Sequence, residues 1–427
     1  MAEFTPFHGL RYDTSKVELS DVLAPPYDVI KGAMRDELIA RSEYNIVEVE
    51  LPIGEDDAKY EQSARVLNAW REAGVLVSDD ASFYVYEQEF EVPGSSQVLK
   101  RRGVMGALQL EEFGKGVQPH EHTLSGPKQD RLKLLRAARC NTSPIFGLYE
   151  DNDGWATALL TELCADTKPL CHARDSDGIV HRLWRITDDE TVNAIVGALD
   201  DEAILIADGH HRYETALNYR NECAEKAGDK WTGGEPANFV LMMCVSTQDS
   251  GLVVLPTHRL VKNVETSKLE ALPQKLAEYF DVEKIEGDAS TLLEKVNQGD
   301  AIKIGFILPQ AQYLLGLKGD THNSQLDDSR SKAFNELDVT ILHRLILERE
   351  LEIDSAKLAA GQHVGYTICA NEAAKKVVGG EYSAAFLLRP TRVEQVRDCC
   401  NAGDKMPQKS TYFYPKLITG LVLRPLD

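Results

Sequence analysis

Alternating and helical hydrophobic patterns divide the chain into strands and helices of ordinary length. Residues 82–92 alternate in the manner of a strand, turn at Pro93-Gly94, and predict a hairpin with residues 98–110. An apolar stripe at helical spacing predicts a helix over 57–73. The pattern as a whole predicts an α/β protein, of α+β type with a mixed sheet.

The same criteria predict further elements along the rest of the chain. The predicted helices cover 130–139, 156–165, 188–199, 212–226, 266–280, 337–351, 372–378 and 391–400. The predicted strands cover 183–186, 204–207, 238–245, 251–255, 302–308, 313–318, 384–388 and 417–423.

The densest group of polar side chains follows the apolar run 204–207. It reads Asp208-Gly209-His210-His211-Arg212 and stands between a predicted strand and a predicted helix. A helix N-terminus presents free N–H groups and a partial positive charge, so it suits a phosphate. Gly209 lets the backbone approach a ligand closely, and Arg212 can form paired hydrogen bonds to phosphate oxygens. We therefore predict a phosphate or nucleotide site here, the alternative being a capped helix with two exposed histidines.

Other segments carry groups that suit such a site. Two prolines lead rigidly into Tyr27-Asp28, so Asp28 is a candidate carboxylate. The basic helix 130–139 is either a solvated face or a wall that attracts anions. Two cations and two hydroxyls near residue 410 form a second phosphate-compatible cluster. The candidates from these and neighbouring segments are His120, Glu121, Lys128, Arg131, Arg136, His258, Arg259, Lys409, Ser410, Thr411 and Lys416.

Composition and charge narrow the function classes. The 427 residues are 43% hydrophobic, enough for two or three domains with cores of their own. The net charge of −21 argues against a general nucleic-acid or membrane surface. Because residues 1–13 carry no apolar core and no apolar run is long enough to span a bilayer, we expect a cytoplasmic protein. The eight cysteines include no Cys-x-x-Cys pair, so reduced structural thiols are expected.

Seven segments carry a family resemblance that spans nearly the whole chain. They read Ala-Pro-Pro-Tyr-Asp-Val-Ile at 24–30, Pro-His-Glu at 119–121, Gly-Pro-Lys-Gln-Asp-Arg-Leu at 126–132, Ser-Pro-Ile-Phe-Gly-Leu-Tyr at 143–149, Asp-Gly-His-His-Arg-Tyr-Glu-Thr-Ala at 208–216, Leu-Pro-Thr-His-Arg-Leu at 255–260 and Met-Pro-Gln-Lys-Ser-Thr-Tyr-Phe-Tyr-Pro-Lys at 406–416. Together they resemble an uncharacterised bacterial and archaeal family, the domain-of-unknown-function family number ten-fifteen. This resemblance brings no established activity.

The turn by itself is similar to a second group of proteins. It resembles the Gly-x-His-Arg phosphate-binding turn of the ParB and sulfiredoxin superfamily, and more closely that of the free-serine kinases within it. The resemblance implies that Gly209-His210-His211-Arg212 holds nucleotide phosphates, and that Asp208 orients these groups or binds Mg²⁺. It also implies an upstream acid that acts on the substrate hydroxyl, for which Asp28 is the candidate and Glu48 and Glu50 are the reserves.

The same resemblance implies a domain division. Residues 1–260 would form a ParB/sulfiredoxin-like nucleotide-binding core, interrupted by an inserted segment at about 45–200 because Asp28 and Asp208 lie 180 residues apart. Residues 261–427 would form a C-terminal α/β domain, and its tail at 405–416 would return to the site.

The leading hypothesis for function is a nucleotide-dependent phosphotransferase acting on a small hydroxyl compound, with free L-serine as the first choice. ATP or ADP and Mg²⁺ are the expected cofactors, with Asp208 and Glu121 as oxygen ligands of the metal. His210, His211 and Arg212 would neutralise the transferring group, and Asp28 would accept the hydroxyl proton. The expected partners are a nucleotide and a small substrate, with no nucleic acid and no membrane; a homodimer is one open assembly state.

Three alternatives remain open at this point. A phosphohydrolase would use the same residues, with His120 or His210 as nucleophile or acid and water in place of the acceptor. A metal hydrolase would use His120, His122, His210 and His211, since alternate residues share one face of a strand. A nucleotide-binding regulatory protein would bind the phosphates without catalysis.

Overall fold

The computed structural model describes residues 3–121, 125–200, 202–319 and 326–427, although not the side chains at 125–127 and 359. The chain divides into two compact units. Unit 1 comprises Met1–Pro119, Thr123–Val253 and Pro415–Asp427, and unit 2 comprises His120–His122 and Val254–Tyr414. The tail predicted at 405–416 is therefore shared, with residues up to Tyr414 in unit 2 and Pro415 onward in unit 1.

The strands are short except for one long hairpin. In chain order they are β1 (Phe4–Thr5), β2 (Leu10–Tyr12), β3 (Leu76–Ser78), β4 (Phe83–Glu91), β5 (Val98–Gln109), β6 (Val117–Pro119), β7 (Cys140–Asn141), β8 (Ile145–Tyr149), β9 (Cys171–Arg174), β10 (Val180–Ile186), β11 (Ile204–Asp208), β12 (Phe239–Ser246), β13 (Val253–Leu255), β14 (His258–Val261), β15 (Phe280–Ile285), β16 (Lys303–Leu308), β17 (Ala311–Leu317), β18 (Val364–Thr367), β19 (Ala384–Leu387), β20 (Tyr412–Tyr414) and β21 (Arg424–Pro425).

The helices are distributed among these strands along the chain. They are α1 (Leu19–Val22), α2 (Met34–Arg41), α3 (Val47–Glu50), α4 (Ala58–Glu72), α5 (Ser125–Ala138), α6 (Trp155–Asp166), α7 (Asp189–Leu199), α8 (His210–Ala227), α9 (Thr266–Leu276), α10 (Ala289–Val296), α11 (Lys332–Asn335), α12 (Asp338–Ile341), α13 (Ser355–Ala359), α14 (Ala370–Val378) and α15 (Val393–Asn401), with a π-helical stretch at Leu342–Glu348. In the part of the chain that is described, no helix is both long and apolar enough to cross a membrane.

A large mixed sheet organises unit 1. Its strand order is β6-β11-β8-β12-β5-β4-β10-β9. The short strand β1 also pairs with β5. The pairs β6–β11 and β8–β12 run parallel, whereas β5 runs antiparallel to both β4 and β12. Ile206 of β11 packs in one core with Tyr213 and Leu217 of α8, so burial of these apolar faces fixes the helix beside the strand that precedes it.

A second, fully antiparallel sheet organises unit 2. Its strand order is β15-β17-β16-β19-β14-β18. Helices α10 and α14 pack on this sheet, and Leu292, Val296 and Val377 from the helices share a core with Leu260 and Leu387 from the strands. The amphipathic spacing of these helices explains the arrangement, since each can bury only one apolar face.

Much of the local structure follows the hydrophobic pattern. The structure confirms the predicted mixed α+β class and the hairpin of β4 and β5, which pair antiparallel along their length. It also confirms the strand before Asp208 and the helix after it, although α8 begins at His210, two residues earlier than predicted.

Three predicted elements differ from the structure. The strand predicted at 417–423 is wrong, because this buried segment is irregular and forms only isolated bridges through Thr419 and Leu423. Gly420 at φ 92° interrupts any extended run there. The helix predicted at 266–280 ends at Leu276, and Phe280 already begins β15. The helix predicted at 337–351 is α-helical only in α12 and continues as the π-helical stretch.

Candidate functional site

The segment Asp208-Gly209-His210-His211-Arg212 is a tight passage from strand to helix. Asp208 ends β11, and a register irregularity between Ile206 and Asp208 re-aims the end of the strand. Gly209 is the N-cap residue of α8, with φ 95°, and so brings no side chain of its own to the helix N-terminus. A Cβ at Gly209 would lie 3.0 Å from Nη2 of Arg212, so glycine leaves room for the guanidinium beside the backbone.

Two cations hold the carboxylate of Asp208. Nζ of Lys416 donates to Oδ1, and Nη2 of Arg212 donates to Oδ2 at 3.0 Å. The side chains are largely buried, with 13–19% of each exposed. Burial alone would raise the pKa of Asp208, but Lys416 and then Arg212 hold it well below its usual range. The aspartate is therefore ionised, and the three charges leave one net positive charge at the start of α8.

The loop before β8 fixes Arg212 from its other side. Nη1 of Arg212 donates to Oγ of Ser143 at 3.0 Å and to the carbonyl oxygen of Pro144 at 2.6 Å. The guanidinium thus has a defined plane, set by the loop on one edge and by Asp208 on the other. Such a fixed fork is suited to paired hydrogen bonds with an oxyanion.

Buried polar side chains on the hairpin of β4 and β5 fix Lys416. Nε2 of Gln88 donates to the carbonyl oxygen of Lys416 at 2.9 Å, and Nη2 of Arg101 donates to Gln88 and to the carbonyl oxygen of Pro415. The guanidinium of Arg101 also lies 4.6 Å from the ring centroid of Phe146. Burial lowers the pKa of Arg101 to about 10. These contacts explain how a C-terminal lysine is held at the end of β11.

Sequence reasoning missed Gln88 and Arg101, and also Ser143. A signal was present for Arg101, because Lys100-Arg101-Arg102 interrupts a strand that is otherwise apolar on its buried face. A charge at such a position needs a partner from elsewhere in the chain. The sequence alone does not say that this partner is the tail at Pro415.

The loop that carries Asp28 lies beside the same groups. The backbone of Ala24 forms two hydrogen bonds with the backbone of Thr419, three residues after Lys416. Burial raises the pKa of Tyr27 to about 12, and the nearby charge of Arg212 opposes this shift. Asp28 itself is exposed, and its carboxylate forms no hydrogen bond or ion pair with any residue that is described. It is therefore available to a ligand.

The reserve acid Glu50 is committed to a buried network. It accepts hydrogen bonds from Thr142 and, at 3.4 Å, from Nη1 of Arg131. Arg131 also binds Asp130 at 2.6 Å and lies 4.5 Å from the ring centroid of Tyr27. Glu50 and Arg131 expose only 3% and 6% of their side chains, so we assign them a structural role.

Glu48, the other reserve, takes no part in this network. Its carboxylate lies 3.6 Å from Nη2 of Arg35, and 36% of its side chain is exposed. Of the three acids considered from the sequence, Asp28 alone combines exposure with an uncommitted carboxylate among the described residues.

The charge run on α5 divides into separate roles. Lys128 binds Glu214 at 2.6 Å, one turn into α8, whereas Lys133 binds Asp57 at the surface. Arg136 binds Glu222 at 2.5 Å. Glu222 lies twelve residues beyond His210, or about 18 Å along α8, so Arg136 is remote from the turn. The outer part of α5 is thus a solvated face.

His210 and His211 begin α8. His210 is buried, and its positive charge when protonated contributes to the low pKa of Asp208. His211 is half-buried. Both can therefore supply charge close to the Asp208 carboxylate.

The remaining candidates come together within unit 2. Nε2 of His120 lies 2.9 Å from Oγ1 of Thr411, and Glu121 accepts a hydrogen bond from the backbone N–H of Lys409 at 3.0 Å. Ser410 donates to the carbonyl oxygen of Pro407. Of the predicted C-terminal cluster, Lys416 belongs to unit 1, whereas Lys409, Ser410 and Thr411 belong to unit 2.

His258 and Arg259 lie next to each other on β14 of unit 2. Nδ1 of His258 accepts a hydrogen bond from the N–H of Leu388 at 3.2 Å. Burial and the neighbouring Arg259 lower the pKa of His258 to about 4. Both side chains are almost wholly buried.

The described residues do not fit the predicted magnesium site. No three His, Cys, Asp or Glu side chains among them are grouped as a metal site requires. Both carboxylate oxygens of Asp208 already bind cations, which leaves a positive rather than a negative site. We therefore derive no step through a metal. His122, the fourth histidine of the metal-hydrolase alternative, lies outside the described residues.

The sequence comparisons decide the family. A family model described as a protein of unknown function, DUF1015, matches residues 4–340. The chain belongs to this family. The family predicted from the seven segments is thereby confirmed. A comparison with curated proteins finds no match.

The solved structures to which the chain is similar include three proteins of low identity. A free serine kinase in complex with AMP is 12% identical, with 71% of this chain and 92% of that chain covered and a TM-score of 0.36. A conserved hypothetical protein from Pyrococcus furiosus is 14% identical, with 71% and 91% covered and a TM-score of 0.35. SbnI with a C-terminal truncation, from Staphylococcus aureus, is 9% identical, with 75% and 87% covered and a TM-score of 0.37. The description of this family names no function.

Proposed function

We propose that this protein is a nucleotide-dependent phosphotransferase acting on a small hydroxyl compound, with the nucleotide phosphates bound where β11 meets α8. One observation carries the proposal: the carboxylate of Asp208 is held by both Lys416 and Arg212 at the N-terminus of a helix whose N-cap residue is a glycine. These donors already bind negatively charged oxygens. A phosphate offers more of the same acceptors and a larger charge.

Phosphoryl transfer makes demands that this arrangement can meet. The reaction needs positioning and charge neutralisation more than covalent chemistry. Lys416 and Arg212 would bind the oxygens of the transferring group, and Asp208 would keep both cations in place before the nucleotide arrives. His210 and His211 would add charge at the start of α8.

The proposed step is a direct transfer. The substrate hydroxyl oxygen attacks the terminal phosphorus, the bond from phosphorus to the bridging oxygen breaks, and the shortened nucleotide leaves. Asp28 would accept the hydroxyl proton, since its carboxylate is exposed and uncommitted. Tyr27, the residue before Asp28, lies close enough to Arg212 for the charge of the arginine to oppose the rise in its pKa. This proximity supports a position of the Asp28 loop near the proposed phosphate site.

The substrate and the nucleotide are the finer part of the proposal. The turn Asp208-Gly209-His210-His211-Arg212 resembles that of free-serine kinases, so L-serine is the first acceptor to assay and ATP or ADP the first donor. The ParB/sulfiredoxin-like core with an inserted segment at about 45–200 and a separate domain from 261 belongs to the same proposal. Lys409, Ser410 and Thr411 are not needed for it.

The first experiment is a binding screen with matched variants. Purified protein is titrated calorimetrically with ATP, ADP, CTP and pyrophosphate in the presence of Mg²⁺, and thermal unfolding is followed in parallel. We expect one or more nucleotides to bind the wild type and Arg136→Met alike, because Arg136 is remote from the turn. Arg212→Met should weaken binding by at least tenfold. Equal binding by Arg212→Met and the wild type, or no binding by any nucleotide, would overturn the proposal.

Transfer is then assayed with the terminal phosphate of the nucleotide labelled. The proposal expects label to appear on L-serine or another small hydroxyl compound, and Asp28→Asn to reduce the turnover number while nucleotide binding persists. Release of inorganic phosphate at the same rate with and without an acceptor would instead identify a phosphohydrolase.

A further inference from the structure

Unit 2 contains a buried arginine without an ion pair. Arg259 on β14 is 1% exposed, and among the described residues no carboxylate forms a salt bridge with it. Its guanidinium donates to the carbonyl oxygens of Thr257 and, at 3.3 Å, of Gln408, and lies 5.5 Å from the ring centroid of Tyr366. The partners in these contacts are neutral, and the carboxylate of Glu121 acts on the charge of Arg259 without forming a salt bridge, so burial of this guanidinium remains unfavourable. Such a group is expected to have an anionic ligand.

A cavity of about 310 Å³ lies beside this arginine. Two of the residues that line it carry buried polar atoms with no hydrogen-bond partner in the described part of the chain, namely Nε of Arg259 and Oγ1 of Thr257. Thr257 is 6% exposed, so its hydroxyl is also withdrawn from bulk water. Two unpartnered polar atoms two residues apart at one cavity indicate a place for a polar ligand.

The charges around the cavity favour an anion. Its lining includes Arg259, Arg389 and Arg392 against two acids, Asp300 and Asp338. Arg389 neutralises Asp338 through hydrogen bonds of 2.8 and 3.0 Å. The lining as a whole keeps one positive charge in excess, in a protein whose net charge is −21. A ligand with one negative charge would balance it.

We propose that this cavity of unit 2 binds a small oxyanion, the carboxylate or phosphate group of a metabolite, through the guanidinium of Arg259 and the hydroxyl of Thr257. The inference goes beyond the proposed function, because none of these residues belongs to the unit that carries Asp208. The room available exceeds that of a single water, whose share of liquid volume is about 30 Å³, by roughly tenfold. A small metabolite rather than a bare ion is therefore the expected ligand.

The test uses the full chain carrying Arg212→Met, which weakens phosphate binding at the Asp208 turn. Inorganic phosphate and acetate are titrated separately at constant ionic strength against chloride, and the dissociation constants are taken from the concentration dependence of the melting temperature. Saturable binding of phosphate alone identifies a phosphate ligand, and saturable binding of acetate alone a carboxylate ligand. Saturable binding of both supports an oxyanion site that accepts either group.

Three further substitutions assign any binding to the cavity. Thr257→Val preserves the shape of the side chain and removes the unpartnered hydroxyl, and it should weaken the anion at least fivefold. Arg259→Met should abolish saturable binding. Arg397→Met is the control, because Arg397 pairs with Asp398 on the surface of the same unit. Should Arg259→Met fail to fold, Thr257→Val decides the matter: unchanged affinity in that variant, or no saturable binding by either probe, overturns the inference.

Discussion

Lys416 and Asp208 form an ion pair although 208 positions separate them in the sequence. The lysine reaches the end of β11 because Arg101 and Gln88, both buried on the central hairpin, bind the carbonyl oxygens of Pro415 and Lys416. The backbone of the tail is thus fixed by polar groups that need partners, and the lysine side chain extends from it to the aspartate. This relationship gives the turn its excess of positive charge.

Removal of the lysine charge should weaken nucleotide binding. A hydrogen bond between a charged donor and phosphate contributes about 1.5–3 kcal/mol, so Lys416→Met should raise the nucleotide dissociation constant by roughly 10- to 100-fold. Isothermal titration calorimetry measures the change. Lys332→Met serves as the control, since 86% of the Lys332 side chain is exposed. An unchanged dissociation constant for Lys416→Met would show that phosphate does not bind at this lysine.

Gly209→Ala should impair the site through the backbone and the guanidinium together. The residue has φ 95°, which costs an L side chain about 1–2 kcal/mol, and the new Cβ would lie 3.0–3.2 Å from three atoms of the Arg212 guanidinium. We expect lower stability and weaker nucleotide binding, measured by urea unfolding and calorimetry.

A second glycine provides the control for that substitution. Gly197 lies inside α7 and has an ordinary backbone conformation, and none of the described residues comes within 4 Å of an added Cβ. Gly197→Ala should therefore be neutral or stabilising by up to about 1 kcal/mol. Equal behaviour of the two variants would contradict the role assigned to Gly209.

Glu50→Gln should destabilise unit 1 without directly removing a ligand-binding group. The substitution leaves the buried Arg131 with a weaker partner, and breaking such a pair costs about 3 kcal/mol. Glu48→Gln is matched in chemistry, but its ion pair with Arg35 is partly exposed, so the loss should stay below about 1 kcal/mol. Urea unfolding at pH 7 compares the two. A loss of comparable size in both variants would remove the structural role given to Glu50.

Stability should fall in mildly acidic solution because of His343 and His258. Burial, with Arg259 and Arg344, lowers the pKa of His343 to about 3, and burial with Arg259 lowers that of His258 to about 4. A histidine whose folded pKa is lowered contributes stability that is complete above the unfolded pKa of about 6.5 and is lost as the pH falls toward the folded pKa. Each group should cost about 1.4 kcal/mol per pH unit within that window.

The pH effect is measured as a difference between variants. Urea midpoints at pH 7.5 and 5.5 are compared for the wild type, His343→Gln, and the exposed His172→Gln. We expect His343→Gln to lose about 1.4 kcal/mol less than the wild type on acidification, and His172→Gln to match the wild type. A loss in His343→Gln equal to that of the wild type would show that His343 is not neutral and buried in the folded protein.

The sequence indicated elements whose cause is local. The alternation at 82–110 led to the hairpin of β4 and β5, and the apolar run before Asp208 led to β11 and α8. The sequence pattern was misleading where contacts with distant parts of the chain decide the conformation. Residues 417–423 are apolar like a strand, but they are buried as an irregular segment whose pairing is confined to isolated bridges. Hydrophobicity specifies burial there and not the hydrogen bonding.

For the site, the sequence by itself determined that Asp208, Gly209 and Arg212 stand together, because a strand-to-helix turn keeps nearby residues close whatever the rest of the fold does. Only the tertiary structure decided that Lys416 reaches Asp208 while Lys409 lies with Glu121 in the other unit. The choice depends on Arg101 and Gln88, whose buried polar groups must find partners and find them in the backbone of the tail. Such long-range pairing leaves no periodic trace in a sequence.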